Sequence, residues 1–363
     1  MTLKSMQVYV EARTAHLERG SVKSADHLFV YNGESYDFDL DLAARTGAVR
    51  AGTVATATMI LRRRPDVLEL NEPAMAGAWV KLFVYTAAAK LASIGRSKIA
   101  IVTYAIENAD LRAAFSHKTH LPRGISDAVT AFIVRLLCRG FTRIAFGTQG
   151  ARANYEDLVG RRNLNRSETA DFRALEPACD CSGDDKVDER VVFLGAFEER
   201  KGLLRVMEAW PSVQKARPQA RLTIAGKGPL ENRVKEWVSA NDGVDLVVDP
   251  AREKIHEILR SSAVLVLFSQ RTGTWREQVG LPIVEGLSHG CTIVASAETG
   301  LSDWLIAHGH GVLEASANTG ELARVIEEKV KAPIDRGEVL RSLPESSQRL
   351  EAGRWMYGRT VVV

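Results

Sequence analysis

The chain has 363 residues, of which 45% are hydrophobic and 26% charged. That balance belongs to soluble globular proteins and excludes fibrous and disordered classes. The length predicts two domains rather than one core. The net charge of +3 is unevenly spread. Residues 1–175 hold 24 Lys and Arg against 17 Asp and Glu, and the remainder holds 24 against 28. A basic first half fits an anionic partner, such as a phosphorylated acceptor or an acidic membrane surface. No nucleic-acid partner is expected.

Four cysteines (Cys138, Cys179, Cys181, Cys291) show no paired metal spacing. Cys179-Asp180-Cys181 is closer than an ordinary zinc pair and has no second pair, so all four read as reduced thiols and no metal is expected. The N-terminus is charged early and lacks an apolar run, so a cytoplasmic chain without signal peptide is expected. The most apolar helix, Ala78 to Ala92, is interrupted by Lys81 and Lys90 and is too short to span a bilayer.

Alternating strand and helix patterns fill the first half. MQVYVE (Met6 to Glu11), HLFVYN (His27 to Asn32), DVLEL (Asp66 to Leu70), KIAIVTY (Lys98 to Tyr104) and Thr142 to Gly147 read as strands. Gly52 to Arg63, Ile125 to Cys138 and Gln149 to Val159 read as helices. Polar residues at the carboxyl ends of such strands are candidate ligand contacts. Glu72 follows one strand; Tyr104, Glu107 and Asn108 close another. Helix capping by Asn108 or Asp110 is the alternative reading. His117 and His120 read as loop residues. From Gly160 to Asp188 the periodicity fails, and this polar stretch reads as an interdomain connection.

The second half is more regular. Strands at RVVFL (Arg190 to Leu194), RLTIA (Arg221 to Ala225), Val244 to Val248, AVLVLFS (Ala263 to Ser269), CTIVAS (Cys291 to Ser296) and Gly311 to Leu313 alternate with helices. Short connections between them predict a doubly wound parallel sheet of nucleotide-binding type.

Between Arg271 and Gly290 lies RTGTWREQVGLPIVEGLSHG. Gly280, Leu281 and Pro282 open a helix, with Pro just inside its start. Glu277 and Glu285 flank that start, at the carboxyl end of a buried strand. Exposed N–H groups and the positive dipole end favour an anion there, and carboxylates pair strongly with sugar hydroxyls.

EQVGLPIVE resembles the Glu-x7-Glu segment of retaining, family 4-type glycosyltransferases with the GT-B fold. The resemblance implies two Rossmann-like α/β domains, about 1–175 on the acceptor side and 176–334 on the nucleotide-sugar side. A tail, about 335–363, packs back on the first. It assigns Glu277 to the donor sugar, Glu285 to the ribose, and Val279, Gly280 and Leu281 to backbone contacts with sugar or diphosphate. GAFEERKG (Gly195 to Gly202) is similar to the family segment whose two cations hold the diphosphate. Lys201 matches one of them, Ala196 replaces the other, and Arg200 is its neighbouring substitute. Gly226-Lys227-Gly228-Pro229 resembles the family's Gly-x-Gly-Pro, and Glu298-Thr299-Gly300 the loop whose amides meet phosphate or base. Trp275, Trp304 and His310 read as core or rim. The family's Gly-rich loop after the first strand is replaced by ARTAHLERGSV, with Gly20 alone, and His16 is its candidate contact. The implied activity is retaining, metal-independent and cofactor-free sugar transfer from a UDP or GDP sugar to a carbohydrate or glycolipid acceptor. The alternatives are a non-catalytic GT-B-like subunit and a sugar-nucleotide epimerase.

Overall fold

A computed structural model describes residues 3–19, 26–35, 38–181, 187–273 and 275–358. Gly20 and the hydrophobic C-terminal end at 359–363 lie outside the described residues, as do residues 182–186 of the connection. The chain forms two compact units, residues 1–173 with 348–363, and residues 174–347.

The first unit is built on seven parallel strands: β1 (Lys4–Tyr9), β2 (Asp26–Tyr31), β3 (Val49–Arg50), β4 (Val67–Leu70), β5 (Ala100–Ala105), β6 (Arg143–Phe146) and β7 (Glu168–Asp171). Their order is β3-β2-β1-β4-β5-β6-β7. Short apolar runs such as VLEL are buried along their whole length, as strands covered on both faces require. Met6, Val8, Val30 and Leu68 meet Ile60, Leu82, Tyr85 and Val134 from the covering helices in one core. Each such side chain contributes about 1.5–3 kcal/mol on burial.

Three features of this unit differ from the sequence reading. Part of the loop after β1 is a helix, Thr14–Arg19. The segment holding His117 is the helix Leu111–Thr119, capped at its start by Asp110 Oδ1, which accepts from the Ala113 amide at 3.0 Å. His120 closes it in the left-handed region at φ 56°. The connection begins later than Gly160, because Glu168–Asp171 pairs in register with β6. Its sequence, ETAD, has almost no apolar side chain to betray a strand.

Only the last part of the tail joins the first unit. The helix Gln348–Tyr357 sets Ala352, Met356 and Tyr357 against Val67, Val102 and Ala145. The helix Arg336–Arg341 stays with the second unit, where Arg336 and Leu340 close over Gly290.

A buried charge fixes the returning helix. Glu69, 1% exposed, accepts from Arg349 at 2.6 Å, from the Tyr357 hydroxyl at 2.8 Å and from Tyr9 at 3.2 Å. Burial opposes the Arg349 charge, but the attraction of Glu69, Tyr9 and Tyr104 outweighs it and raises its pKa. Burial, then Glu69, pushes the Tyr9 hydroxyl up to about 12. The Arg349 guanidinium also lies 4.7 Å over the Tyr104 ring.

The second unit has six parallel strands: β8 (Val187–Leu194), β9 (Arg221–Gly226), β10 (Val244–Val248), β11 (Ser262–Leu267), β12 (Thr292–Ser296) and β13 (Gly311–Leu313). Their order, β10-β9-β8-β11-β12-β13, is that of a classic dinucleotide-binding sheet, reversing between β8 and β11. Val191 to Phe193, Val264 to Val266 and Ile293 to Ala295 are fully buried. Among the described residues no helix is long and apolar enough to cross a membrane.

Two predictions follow from the buried carboxyls of the first unit. Removing the charge in Glu69→Gln leaves Arg349 buried without its counter-ion, a loss of about 3–5 kcal/mol. Urea unfolding should show it, with part recovered by adding Arg349→Met.

Glu72 is the second case. Burial, then repulsion from Glu107, raises its pKa from 4.5 to about 8. The folded state binds this proton more tightly than the unfolded chain, so the group's stabilisation is complete below about pH 4.5. It is lost as pH rises through about 8, at up to about 1.4 kcal/mol per pH unit. Denaturation series across this window should show a fall in wild type that Glu72→Gln flattens.

Candidate active site

The carboxyl ends of β9, β8, β11 and β12 lie side by side, and each leads into one of the segments singled out from the sequence. At the switch between β8 and β11 sits a buried ion pair. Lys201 Nζ donates to Glu277 Oε2 at 2.6 Å, with side-chain exposures of 14% and 10%. Ser269 Oγ, just beyond β11, donates to the same oxygen at 2.8 Å. Ser269 is itself held by the Ser296 hydroxyl at the end of β12, which donates to its carbonyl. A hydrogen-bonded partner on each side is what allows Glu277 to stay buried.

Lys201 reaches this position through backbone geometry. It ends a 3₁₀ turn, Glu199–Lys201, and Gly202 follows at φ 74°, heading the helix Leu203–Ala216. A Cβ on Gly202 would stand 1.8 Å from the Phe268 carbonyl oxygen, so only glycine lets this turn lie against the end of β11. The Gln270 amide also donates to the Arg200 carbonyl at 2.8 Å.

Arg200 points elsewhere. Its guanidinium pairs with Glu198 and stacks 4.4 Å over the Trp275 ring, with Lys201 Nζ 5.2 Å from the same ring. Trp275, which read as core or rim, is therefore the plate on which both cations rest. Among the other two residues of that reading, Trp304 and His310 are buried, and the His310 ring accepts from the Ile293 amide at 3.1 Å.

The helix Leu281–Ser288 starts at Gly280, whose φ of 78° turns the chain into it, with Pro282 in the first turn. Pro282 carries no N–H and the Ile283 amide donates back to the Gly280 carbonyl at 2.8 Å, so any amide offered to a ligand here comes from the turn at 279–281. The 298–300 loop holds the turn from behind. Thr299 Oγ1 donates to the Val279 carbonyl at 2.7 Å, and the Gly300 amide donates to the Gln278 carbonyl at 3.1 Å. Gly300 thus shapes the turn with the amide that the sequence reading offered to a ligand. Glu298 pairs with Arg276 at 2.5 Å. Glu285, one turn into the helix, pairs with Arg252 at 2.9 Å.

Gly195, Gly226 and Gly228 line the β8–β9 side, with the Gly226 backbone against the Gly195 carbonyl and Gly228 against the Phe197 backbone. Leu281 is half-exposed and Val279 is buried.

The candidates in the first unit are tied into its own structure. Glu72 accepts from the Ile106 and Glu107 amides, both at 2.9 Å, and from Tyr155 at 3.3 Å. Glu107 Oε1 accepts from the Ala109 amide at 2.9 Å, and Asn108 is buried beside it. The Tyr104 hydroxyl donates to the Phe172 carbonyl at 3.1 Å. His16 stacks on Tyr9 at 4.1 Å, and its Nδ1 accepts from the Arg13 amide at 3.1 Å. Burial, then Arg349 and Arg13, lowers its pKa to about 3, so it is neutral. Glu72, Tyr104, Glu107 and Asn108 have no sequence signal of a ligand contact beyond their place after a strand, and His16 none beyond its place in the segment that replaces the Gly-rich loop. Ser269 was equally silent: a serine closing a strand has no distinguishing pattern.

Away from the Lys201–Glu277 pair, the second unit gathers Cys179, Cys181, His256 and His289. One ligand atom from each lies within 4.8 Å of the others.

Residues 182–342 match the family model for glycosyl transferases group 1. No curated protein matches the chain. Among solved structures, HepE from Anabaena in complex with UDP is similar at a TM-score of 0.66, with 13% identity over 98% of this chain and 96% of that one. A glycosyltransferase from Rickettsia africae aligns at 0.65, with 12% identity over 98% and 99%. The lipopolysaccharide outer core galactosyltransferase WaaB aligns at 0.63, with 11% identity over 97% and 99%. These likenesses establish the shared GT-B fold. The family match spans the unit that holds Lys201, Glu277 and Glu285, and the whole chain is similar in fold to these GT-B glycosyltransferases.

Proposed function

We propose that the chain transfers a hexose from a nucleotide-diphosphate sugar, with retention, to a carbohydrate or glycolipid acceptor. The observation that carries this reading is the buried Lys201–Glu277 pair beside the start of the helix Leu281–Ser288. The donor diphosphate lies against the Val279 to Leu281 turn, where helix amides and the dipole meet its charge. Glu277 accepts from hydroxyls of the sugar and Glu285 from the ribose. As the bond to the anomeric carbon breaks, negative charge builds on the departing phosphate. Lys201 offsets that charge, a role typically worth about 3 kcal/mol. The glycine-lined β8–β9 side shapes the nucleotide pocket through its backbone.

With Lys201 and the helix amides meeting the diphosphate, this reading needs no divalent ion for the transfer step. Arg200 contributes once it leaves Glu198, or acts through Trp275 by holding Lys201 in place. The departing phosphate takes the acceptor proton on the same face, which suits a site where Glu277 already has two partners. A UDP sugar is the first donor to test, since HepE was solved with UDP.

A glycolipid acceptor has support in the first unit. The helix Trp79–Ala92 exposes Val80, Phe83, Val84 and Leu91 beside Lys81 and Lys90, and the helix Arg123–Cys138 exposes Ile125, Phe132 and Leu136. Apolar side chains rimmed by basic ones suit peripheral binding to an anionic bilayer on the cytoplasmic side.

Two measurements check these assignments. In a thermal-shift series, UDP or GDP should raise the melting midpoint of the wild type, and Lys201→Ala should abolish the shift at the same ligand concentration. If neither UDP, GDP, TDP nor ADP moves the midpoint, the donor-site assignment is wrong. In co-sedimentation, vesicles containing anionic lipid should carry the protein down more than neutral ones. Val80→Glu with Phe132→Glu should remove the difference.

A further inference from the structure

We propose that Cys179, Cys181, His256 and His289 form a tetrahedral zinc site that pins the chain entering the second unit to two of its helices. The spacing Cys-x-Cys carried no metal signal by itself. The fold supplies the missing pair: His256 comes from the helix Arg252–Ser261, and His289 directly follows the helix Leu281–Ser288.

The four ligand atoms converge. Cys179 Sγ lies 2.7 Å from Cys181 Sγ and 3.6 Å from His256 Nδ1, which lies 2.9 Å from His289 Nε2. Zinc–sulfur bonds of about 2.3 Å and zinc–nitrogen bonds of about 2.0 Å place tetrahedral ligand atoms about 3.3–3.8 Å apart. Seating the ion therefore needs outward movements of about an ångström among the four ligand atoms.

The surroundings match what such sites require. His289 Nδ1 faces the Glu285 carbonyl oxygen at 2.7 Å and donates to it, so Nε2 presents its lone pair towards the cluster. This is the outer hydrogen bond that orients a metal-bound imidazole. The Cys179 amide donates to the Ser288 carbonyl at 2.8 Å, which fixes the first thiol against the end of the same helix. His289 is buried, while Cys179, Cys181 and His256 are half-buried. Cys181 and His256 open onto a surface cavity of about 720 Å³, through which an ion can enter.

The chemistry balances. Both thiols lose a proton on binding Zn²⁺, and the proton on His256 Nδ1 moves to Nε2, leaving two thiolates, two neutral imidazoles and no net charge. Four protein ligands leave no open position, so the site is structural rather than catalytic. A mixed sulfur and nitrogen set favours zinc over magnesium or calcium. The ion would hold the carboxyl end of the very helix whose amino end is proposed to receive the diphosphate, while playing no part in that step.

The test uses the full chain. Protein purified without chelator is desalted and assayed by plasma mass spectrometry, with cobalt reconstitution of the metal-stripped protein alongside. The site predicts close to one zinc per chain, at least a tenfold drop in Cys179→Ser/Cys181→Ser and in His256→Ala, and a cobalt spectrum with thiolate charge-transfer bands. The cobalt spectrum of the wild type decides the matter even where a variant fails to fold. Substoichiometric zinc with no charge-transfer band would overturn the proposal. So would a non-reduced thiol count short by two, which reports a Cys179–Cys181 disulfide instead.

Discussion

A lysine ammonium and a glutamate carboxylate, both nearly out of water, sit at the point where the second sheet reverses direction. An ion pair in that position is costly to desolvate and is retained only with good geometry and further hydrogen bonds. The fold supplies both. A left-handed glycine brings Lys201 against the end of β11, and Ser269, itself fixed from β12, bonds the carboxylate from the other side. Three neighbouring strand ends thus cooperate to hold one charge pair beside one helix start. The donor-site reading rests on that arrangement.

The first unit is organised differently. Its buried charges serve the fold: Glu69 and Arg349 anchor the returning C-terminal helix, and Glu72 organises the loop after β5. Residues that looked like ligand contacts because they end strands are engaged in capping, stacking and loop closure. The exposed apolar and basic side chains on its helices are what supports the membrane contact proposed above. The acceptor and membrane roles proposed for this unit therefore rest on a part of the molecule whose described residues form no compact polar centre like that of the second unit.

Much of the second sheet was legible because most of its strands are short apolar runs rich in Val, Ile and Leu, bounded by glycine and polar turns. Strand β10 falls where the sequence pattern put it. What escaped detection lacked such contrast. β7 is polar and lies at a sheet edge, and the helix Thr14–Arg19 is too short to show a period. In the site, Glu277, Lys201 and the Gly280 turn were legible through a motif. Ser269 and the stacking role of Trp275 were not, since each depends on contacts between segments far apart in sequence. The same holds for His256 and His289: no spacing rule links them to Cys179 and Cys181, and only the packing of two helices against the incoming chain brings the four together.

The central claim is that a diphosphate is held at the head of the helix Leu281–Ser288 next to Lys201. Amide hydrogen exchange with and without UDP, read by mass spectrometry, addresses it most directly. The account predicts slowed exchange at residues 279–284 and 200–203, with little change in the first unit. Saturating UDP that leaves both segments unprotected while slowing exchange elsewhere would contradict it.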